Sequence, residues 1–324
     1  MSSFALAREV VLCLNSEPRM NIANVRDAQI ESREMRKQTA TMQCQSQPGV
    51  IGSASSVRGE CGVGLISHGV PFRLFAEDGA LLGLMKEHAP HGSEPSKRLP
   101  ADARRFALRR ARRKQGYQVF SDEELLLDAE LLDDALILLG GHMMIHVAEH
   151  APEYVFLHAG VVAWEDRALL LPGVSHAGKS TLVTELVLAG ATYYSDEFAL
   201  LDPQGRVHPF ARDIRMRQPG APDQVPLPLK QLSGREGTNP LLVSMVVFAE
   251  FVEHARWAPE AVTQGRAVLE MLRHSVPVQR TPERTLATLS AMMRHARGWR
   301  SERGEAAVAA RSLLAALATG GPPL

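Results

Sequence analysis

Residues 173–180 read Gly-Val-Ser-His-Ala-Gly-Lys-Ser, a complete G-x-x-x-x-G-K-[ST] pattern set between an apolar run and a helix-forming run. A turn of this composition is a phosphate cradle, because its consecutive amides must all point at one anion in backbone conformations that glycine permits and most side chains forbid. The lysine of the pattern reaches the β- and γ-phosphates, and the hydroxyl that follows it is placed for Mg²⁺. The flanks are what such a loop requires. Leu169, Leu170 and Leu171 suit a buried strand over 168–171. Leu182, Val183, Leu186 and Ala189 recur at helical spacing over 181–189 up to Gly190, a natural C′ stop. A strand, this loop and a helix in succession predict an α/β fold.

With 324 residues and 45% hydrophobic content, the chain can bury a real core without staples. Its formal net charge is +0, so no global basic field recruits nucleic acid or an anionic membrane. The cysteines Cys13, Cys44 and Cys61 show no metal-ligand spacing and read as free thiols in a reducing compartment. No stretch approaches the roughly 18 to 20 continuous apolar residues of a membrane span. Arg8 and Glu9 interrupt the apolar run at the N-terminus, which spoils it as a signal peptide. A cytoplasmic protein is expected.

Residues 1–58 lack sustained periodicity and are rich in polar side chains, so they are expected to be disordered. An accessory α+β domain is expected over 59–150. It would hold an alternating Val70, Phe72, Leu74 strand, a helix over 80–87, a linker over 90–100, and strands over 105–108 and 117–120. Ser121 and Glu124 match a capping box opening a helical region, with an apolar stripe of Leu132, Ala135, Leu136, Leu139 and Met143 running to about His150. The phosphate loop then falls in a larger domain over 151–324. Strands are expected there over 154–157, 160–164, 191–201 and 241–251, and helices over 259–274, 281–297 and 304–318.

The reaction class depends on what accompanies the loop. Ser195-Asp196-Glu197 stands at the end of the strand that follows the loop's helix. One carboxylate there could complete the coordination of a metal held by Ser180, and the other could take the proton of an attacking hydroxyl. Adjacent residues of a strand point to opposite faces, so Asp196 and Glu197 can share a site only where the strand bends.

Together, the 157–162 run Leu-His-Ala-Gly-Val-Val, the loop and this acidic pair resemble the catalytic domain of HPr kinase/phosphorylase and its relatives. In that family a strand beginning His-Gly precedes a G-x-S-G-x-G-K-S loop, and an Asp-Asp pair ends the following strand. The resemblance spans residues 150–220 and implies a P-loop kinase domain of the HPr kinase and phosphoenolpyruvate carboxykinase-like type beside the smaller N-terminal accessory domain. It implies ATP and Mg²⁺ as cofactors. Gly173, Val174, Ser175, His176, Ala177, Gly178, Lys179, Ser180 and Thr181 would bind the nucleotide, Ser180 and Asp196 the metal, and Glu197, Asp196, His158 and Lys179 would carry the chemistry. His176 stands where the family has a glycine, Glu197 where it has a second Asp, and the family's later Glu-Ile-Arg-Gly-type signature is absent.

The segment from Gly205 through Arg217 looks more like the smaller relatives, some of which phosphorylate a serine of a ribosomal peptide precursor, as in lasso-peptide maturation. Arg215 and Arg217 alternate, so on a strand they share a face and could clamp a phosphate or a peptide carboxylate. The expected activity is transfer of the γ-phosphoryl group of ATP to a Ser or Thr hydroxyl of a peptide or protein partner, by a chain that could also be a homo-oligomer. Two alternatives stand beside it: a nucleotide-binding regulatory module without phosphotransfer, and a phosphoenolpyruvate carboxykinase-like enzyme.

Overall fold

The computed structural model describes residues 60–111, 115–173, 178–217, 224–232 and 234–323. The expectations for residues 1–58, and for Val174, Ser175, His176 and Ala177 of the loop, lie outside the described residues. Among the described residues the fold is mixed α/β, with two large sheets and six α-helices.

Strand β1 (Cys61–Ser67) turns through His68 and Gly69, both at positive φ, into β2 (Val70–Ala76). Every second residue of β2 is buried, as the alternation of Val70, Phe72 and Leu74 predicts. Helix α1 (Gly79–Glu87) is capped by the Asp78 side chain, which accepts from the Leu81 amide. Then come β3 (Glu94–Pro95), β4 (Arg104–Arg110), β5 (Tyr117–Ser121), β6 (Glu124–Ala129) and α2 (Leu132–His150). The sheet order is β3-β1-β2-β4-β5-β6, with β4 parallel to β2 after the α1 crossover. Helices α1 and α2 contribute Met85, Leu139 and Met143 to a core with Phe72, Leu74 and Leu108.

Ser121 and Glu124 do not form a capping box. They close a hairpin between β5 and β6, where Asp122 takes φ 52 and its side chain accepts from the Arg105 amide. The apolar run Leu125-Leu126-Leu127 pairs as an edge strand, and the helix begins only at Leu132.

The second sheet begins with β7 (Val155–Trp164), one continuous strand where two were expected, and β8 (Arg167–Pro172). After the loop come α3 (Lys179–Leu188), β9 (Thr192–Ser195), β10 (Phe198–Leu201) and β11 (Arg206–His208). Strands β12 (Ile214–Arg217) and β13 (Gln224–Leu227) pair with each other and, among the described residues, with no other strand. The chain continues through β14 (Arg235–Glu236), β15 (Leu241–Phe251), β16 (Glu260–Val262), α4 (Gln264–Leu272), α5 (Pro282–Met293), β17 (Arg297–Arg303) and α6 (Ala306–Thr319). Strand β8 lies between β7 and β15, parallel to β15, and β15 is parallel to β17. Pairings of β7 with β10, β10 with β11 and β11 with β15 carry the sheet round on itself.

Burial on both faces explains the unbroken leucines of β8. Leu170 packs with Val268 and Met271 of α4 and with Leu289 of α5. Leu169 and Leu171 pack with Leu182 and Leu186 of α3 and Leu313 of α6. Helix α3 ends in a Schellman motif: Gly190 takes φ 103, its amide bonds the Val187 carbonyl, and the Ala191 amide reaches back to Leu186. Strand β17 departs from expectation, since 297–303 carries only one large apolar side chain, Trp299, yet it lies inside the sheet between β15 and β16. Residues 260–262, expected within a helix, form the edge strand β16.

The two sheets share a core. Phe156, Phe198 and Leu200 of the second, with Phe210 just beyond β11, pack with the residues under α1 and α2. Phe156 is fully buried and makes edge-on contacts with Phe198 and Phe210, centroids 6.0 Å away in each case. Phe156→Ala should therefore lower the free energy of unfolding by about 3 to 5 kcal/mol, the range for emptying a buried aromatic site, measured by denaturant titration.

Candidate phosphate-binding site

The phosphate-loop pattern lies where β8 hands over to α3. Gly178 is the N-cap of α3 with φ 74 and ψ 20, a left-handed conformation that glycine adopts without strain. Lys179 opens the helix, and its Nζ donates to the Gly173 carbonyl at 2.8 Å, closing the loop's two ends on each other. Thr181 is exposed in the first turn.

Lys179 Nζ also stands 3.3 Å from His158 Nε2, in the middle of β7. Burial, then the nearby Lys179 and His274, pull the His158 pKa down to about 3, so this imidazole is neutral at pH 7 and can accept from the ammonium. Burial lowers Lys179 to about 8, against the pull of Asp196 and Glu197, so the ammonium is still mostly charged at pH 7. His274, whose carbonyl accepts from the His158 amide at 2.8 Å, is a further member of the cluster, its pKa lowered by burial and by Lys179.

The acidic pair occupies a break in what was expected to be one strand over 191–201. Ser195, 2% exposed, turns its hydroxyl oxygen to accept from the amides of Glu197 at 3.2 Å and Phe198 at 3.1 Å. Those amides are thereby taken out of the β-ladder, and the chain bends between β9 and β10. With the bend, both carboxylates act on Lys179. Asp196, 9% exposed, accepts from Ser180 Oγ at 3.1 Å and from the Tyr193 hydroxyl at 3.0 Å. Burial and the Asp196 carboxylate hold the Tyr193 phenol far above its ordinary pKa, so it stays a donor. Glu197 is more open and pairs with Arg212, 2.7 Å from Nη1 to Oε2.

Ser180 and Asp196 suit a hard cation. Two neighbouring ligands of an octahedral Mg²⁺ with bonds of 2.0 to 2.1 Å stand about 3 Å apart, and their oxygens are 3.1 Å apart. Among the described residues no group of three His, Cys, Asp or Glu could hold a metal by itself, a natural state of affairs for Mg²⁺, which takes one or two carboxylates and fills its sphere with water and phosphate.

Of the residues singled out in the sequence, Gly173, Gly178, Lys179, Ser180, His158, Asp196 and Glu197 come together here. Arg215 and Arg217 lie in β12, paired with Pro226 and Gln224. Tyr193 and His274 were not singled out, Ser195 was named only as the residue preceding the acids, and Arg303, whose Nη2 donates to the Gly178 carbonyl, was not singled out either. Tyr193 and Ser195 carry a signal in retrospect, being polar groups within three residues of a buried acid. A groove of about 420 Å³ between α4 and α5, lined by Val268, Leu269, Leu286 and Met293, shares none of these residues. No helix among the described residues is long and apolar enough to cross a membrane. No protein-family model matches the chain, and no curated protein shows significant similarity to it.

Ser195→Ala should free the Glu197 and Phe198 amides. Their hydrogen exchange, followed by NMR, is expected to accelerate roughly tenfold or more, the equivalent of one lost net hydrogen bond, while amides of β15 keep wild-type protection.

Proposed function

We propose that the chain is an ATP- and Mg²⁺-dependent kinase that transfers the γ-phosphoryl group to a Ser or Thr hydroxyl of a peptide or protein, on a P-loop domain of the HPr kinase and phosphoenolpyruvate carboxykinase-like type. The observation that carries this reading is the contact of Ser180 with Asp196 across 3.1 Å, with the Lys179 ammonium near enough to feel both Asp196 and Glu197. A phosphate loop alone would serve any nucleotide binder. A second, more open carboxylate beside it is what a phosphoryl transfer to a hydroxyl additionally needs.

In this reading the loop amides and the Lys179 ammonium hold the β- and γ-phosphates. Ser180 and Asp196 would hold Mg²⁺, which when bound supplies charge neutralisation between those phosphates. Tyr193 keeps Asp196 oriented by its hydrogen bond to Oδ1. His158 acts as a neutral acceptor that fixes Lys179, since its pKa of about 3 denies it a charge at pH 7. Glu197 takes the proton of the acceptor hydroxyl as its oxygen bonds to the γ-phosphorus, and the bond from that phosphorus to the bridging oxygen breaks to leave ADP. Arg212 holds the other side of Glu197 and sets its direction. Arg215 and Arg217, two residues apart on β12, are the proposed contacts for an anionic part of the substrate.

Glu197→Gln separates this reading from a nucleotide switch without phosphotransfer. Affinity for MgATP should stay within about threefold, while transfer from γ-labelled ATP to an acceptor peptide falls by about 10² to 10⁴, the usual worth of a general base. Equal transfer by wild type and variant would contradict the assignment.

The pH dependence follows from Lys179. Its charge is present below about 8 and lost above it. Affinity for ATP should therefore be flat from pH 6.5 to 7.5 and decline by up to roughly tenfold per pH unit beyond 8, whereas Lys179→Arg should flatten the decline. Calorimetric titrations across that range check it.

A further inference from the structure

Behind the loop sits a charge that the proposed chemistry does not use. Arg303 ends β17 and is 2% exposed. It forms no salt bridge with any carboxylate among the described residues; Glu305, two residues on, supports its charge only at a distance, and burial lowers its pKa from the ordinary arginine value. An arginine remains protonated even so. Its Nη2 donates to the Gly178 carbonyl at 2.7 Å and its Nη1 to the Gly304 carbonyl at 3.1 Å. Phe251, its partner across the β15–β17 pairing, lies with its ring centroid 5.5 Å from the guanidinium carbon. The Nε is buried without a hydrogen-bond partner among the described residues. A buried cation held by neutral carbonyls and one ring, with a donor unmet, is an expensive arrangement for packing alone.

The bond to Gly178 shows what it does. That carbonyl is the first acceptor of α3, bonded by the Leu182 amide at 3.1 Å, and Arg303 adds a second donor. The peptide unit is planar and trans, so the Lys179 N–H at its other end points the opposite way, out of the helix N-terminus and toward the place where the proposed phosphates would sit. Two donors on the carbonyl fix that direction and polarise the unit, strengthening the N–H as a donor. A Cβ on residue 178 would come up against Arg303 Nη2, so a side chain there would displace the guanidinium as well as strain the φ.

We propose that Arg303 is a positioning residue of the phosphate loop: from behind Gly178 it holds the Lys179 amide toward the nucleotide phosphates and adds a buried positive charge to their site. The proposal rests on the reading of the loop as a nucleotide site. Arg303→Met removes charge and donors at similar length, and Arg303→Lys keeps the charge and a donor. With the full chain, calorimetric affinity for MgADP should fall roughly tenfold or more in R303M, as expected for a lost charge-assisted hydrogen bond, and fall measurably less in R303K, which returns the charge and one donor but not the planar fork. Thermal unfolding without nucleotide is measured alongside, because a role in packing alone would lower it in both variants and leave affinity per folded molecule unchanged. If R303M does not fold, R303Q, which keeps a neutral donor, is compared with R303K in its place. Wild-type affinity in a folded R303M or R303Q, or equal loss in that variant and R303K, overturns the proposal while the nucleotide site stands. A wild-type chain that binds neither MgADP nor MgATP overturns both.

Discussion

The break in the strand after Ser195 is the constraint on which the rest of the site depends. In a regular strand Asp196 and Glu197 would face opposite ways, one into the sheet's packing and one out of it. The Ser195 hydroxyl takes both amides that the bend removes from the ladder, so the chain can turn without leaving buried donors unmet. Asp196 then meets Ser180 of the loop helix, and the pair of acids faces Lys179. Loop and acids lie on separate elements that meet through this contact and through the packing of α3 against Tyr193 of β9, so the geometry of one bears on the geometry of the other.

Charge is balanced here by burial as much as by pairing. Lys179 is drawn down to about 8 by burial while two carboxylates hold it up, and His158 is driven down to about 3 beside it. One ammonium and one neutral imidazole share a small space, where two cations would repel. Arg303 adds a fixed charge from behind the loop and Arg212 one from the solvent side of Glu197. In a partly buried site each of these is worth more than it would be in water, and an entering phosphate would meet a field already arranged.

Much of this was legible in the residues. The loop announced itself through four fixed positions, its strand through Leu169 to Leu171 and its helix through the spacing of Leu182, Val183 and Leu186, and each element lies within two residues of its expected bounds. His158 and the acidic pair were placed by their order around the loop. What the chain concealed has physical causes. Residues 297–303 read as a polar stretch because β17 is buried through Gly298, Ser301 and Arg303, small or polar side chains that carry no apolar alternation. Arg303 was thus invisible as a loop contact, 125 residues from Gly178. Ser121 and Glu124 satisfied a helix-capping pattern, yet tertiary pairing of Leu125 and Leu127 with β5 prevailed over that local preference. His274 reaches the cluster through its backbone contact with His158, which no side-chain pattern reports.

The central claim is that the turn entering α3 grips a nucleotide's phosphates together with Asp196 and a divalent cation. Titrating ATP calorimetrically into the full chain, with Mg²⁺ and again with a chelator, tests it most directly when Lys179→Met and Asp196→Asn are run beside the wild type. Saturable binding that weakens without Mg²⁺ and is lost in Lys179→Met, with Asp196→Asn blunting the Mg²⁺ dependence, is the result expected. Absence of wild-type binding at millimolar MgATP, or binding indifferent to both substitutions, would contradict the account.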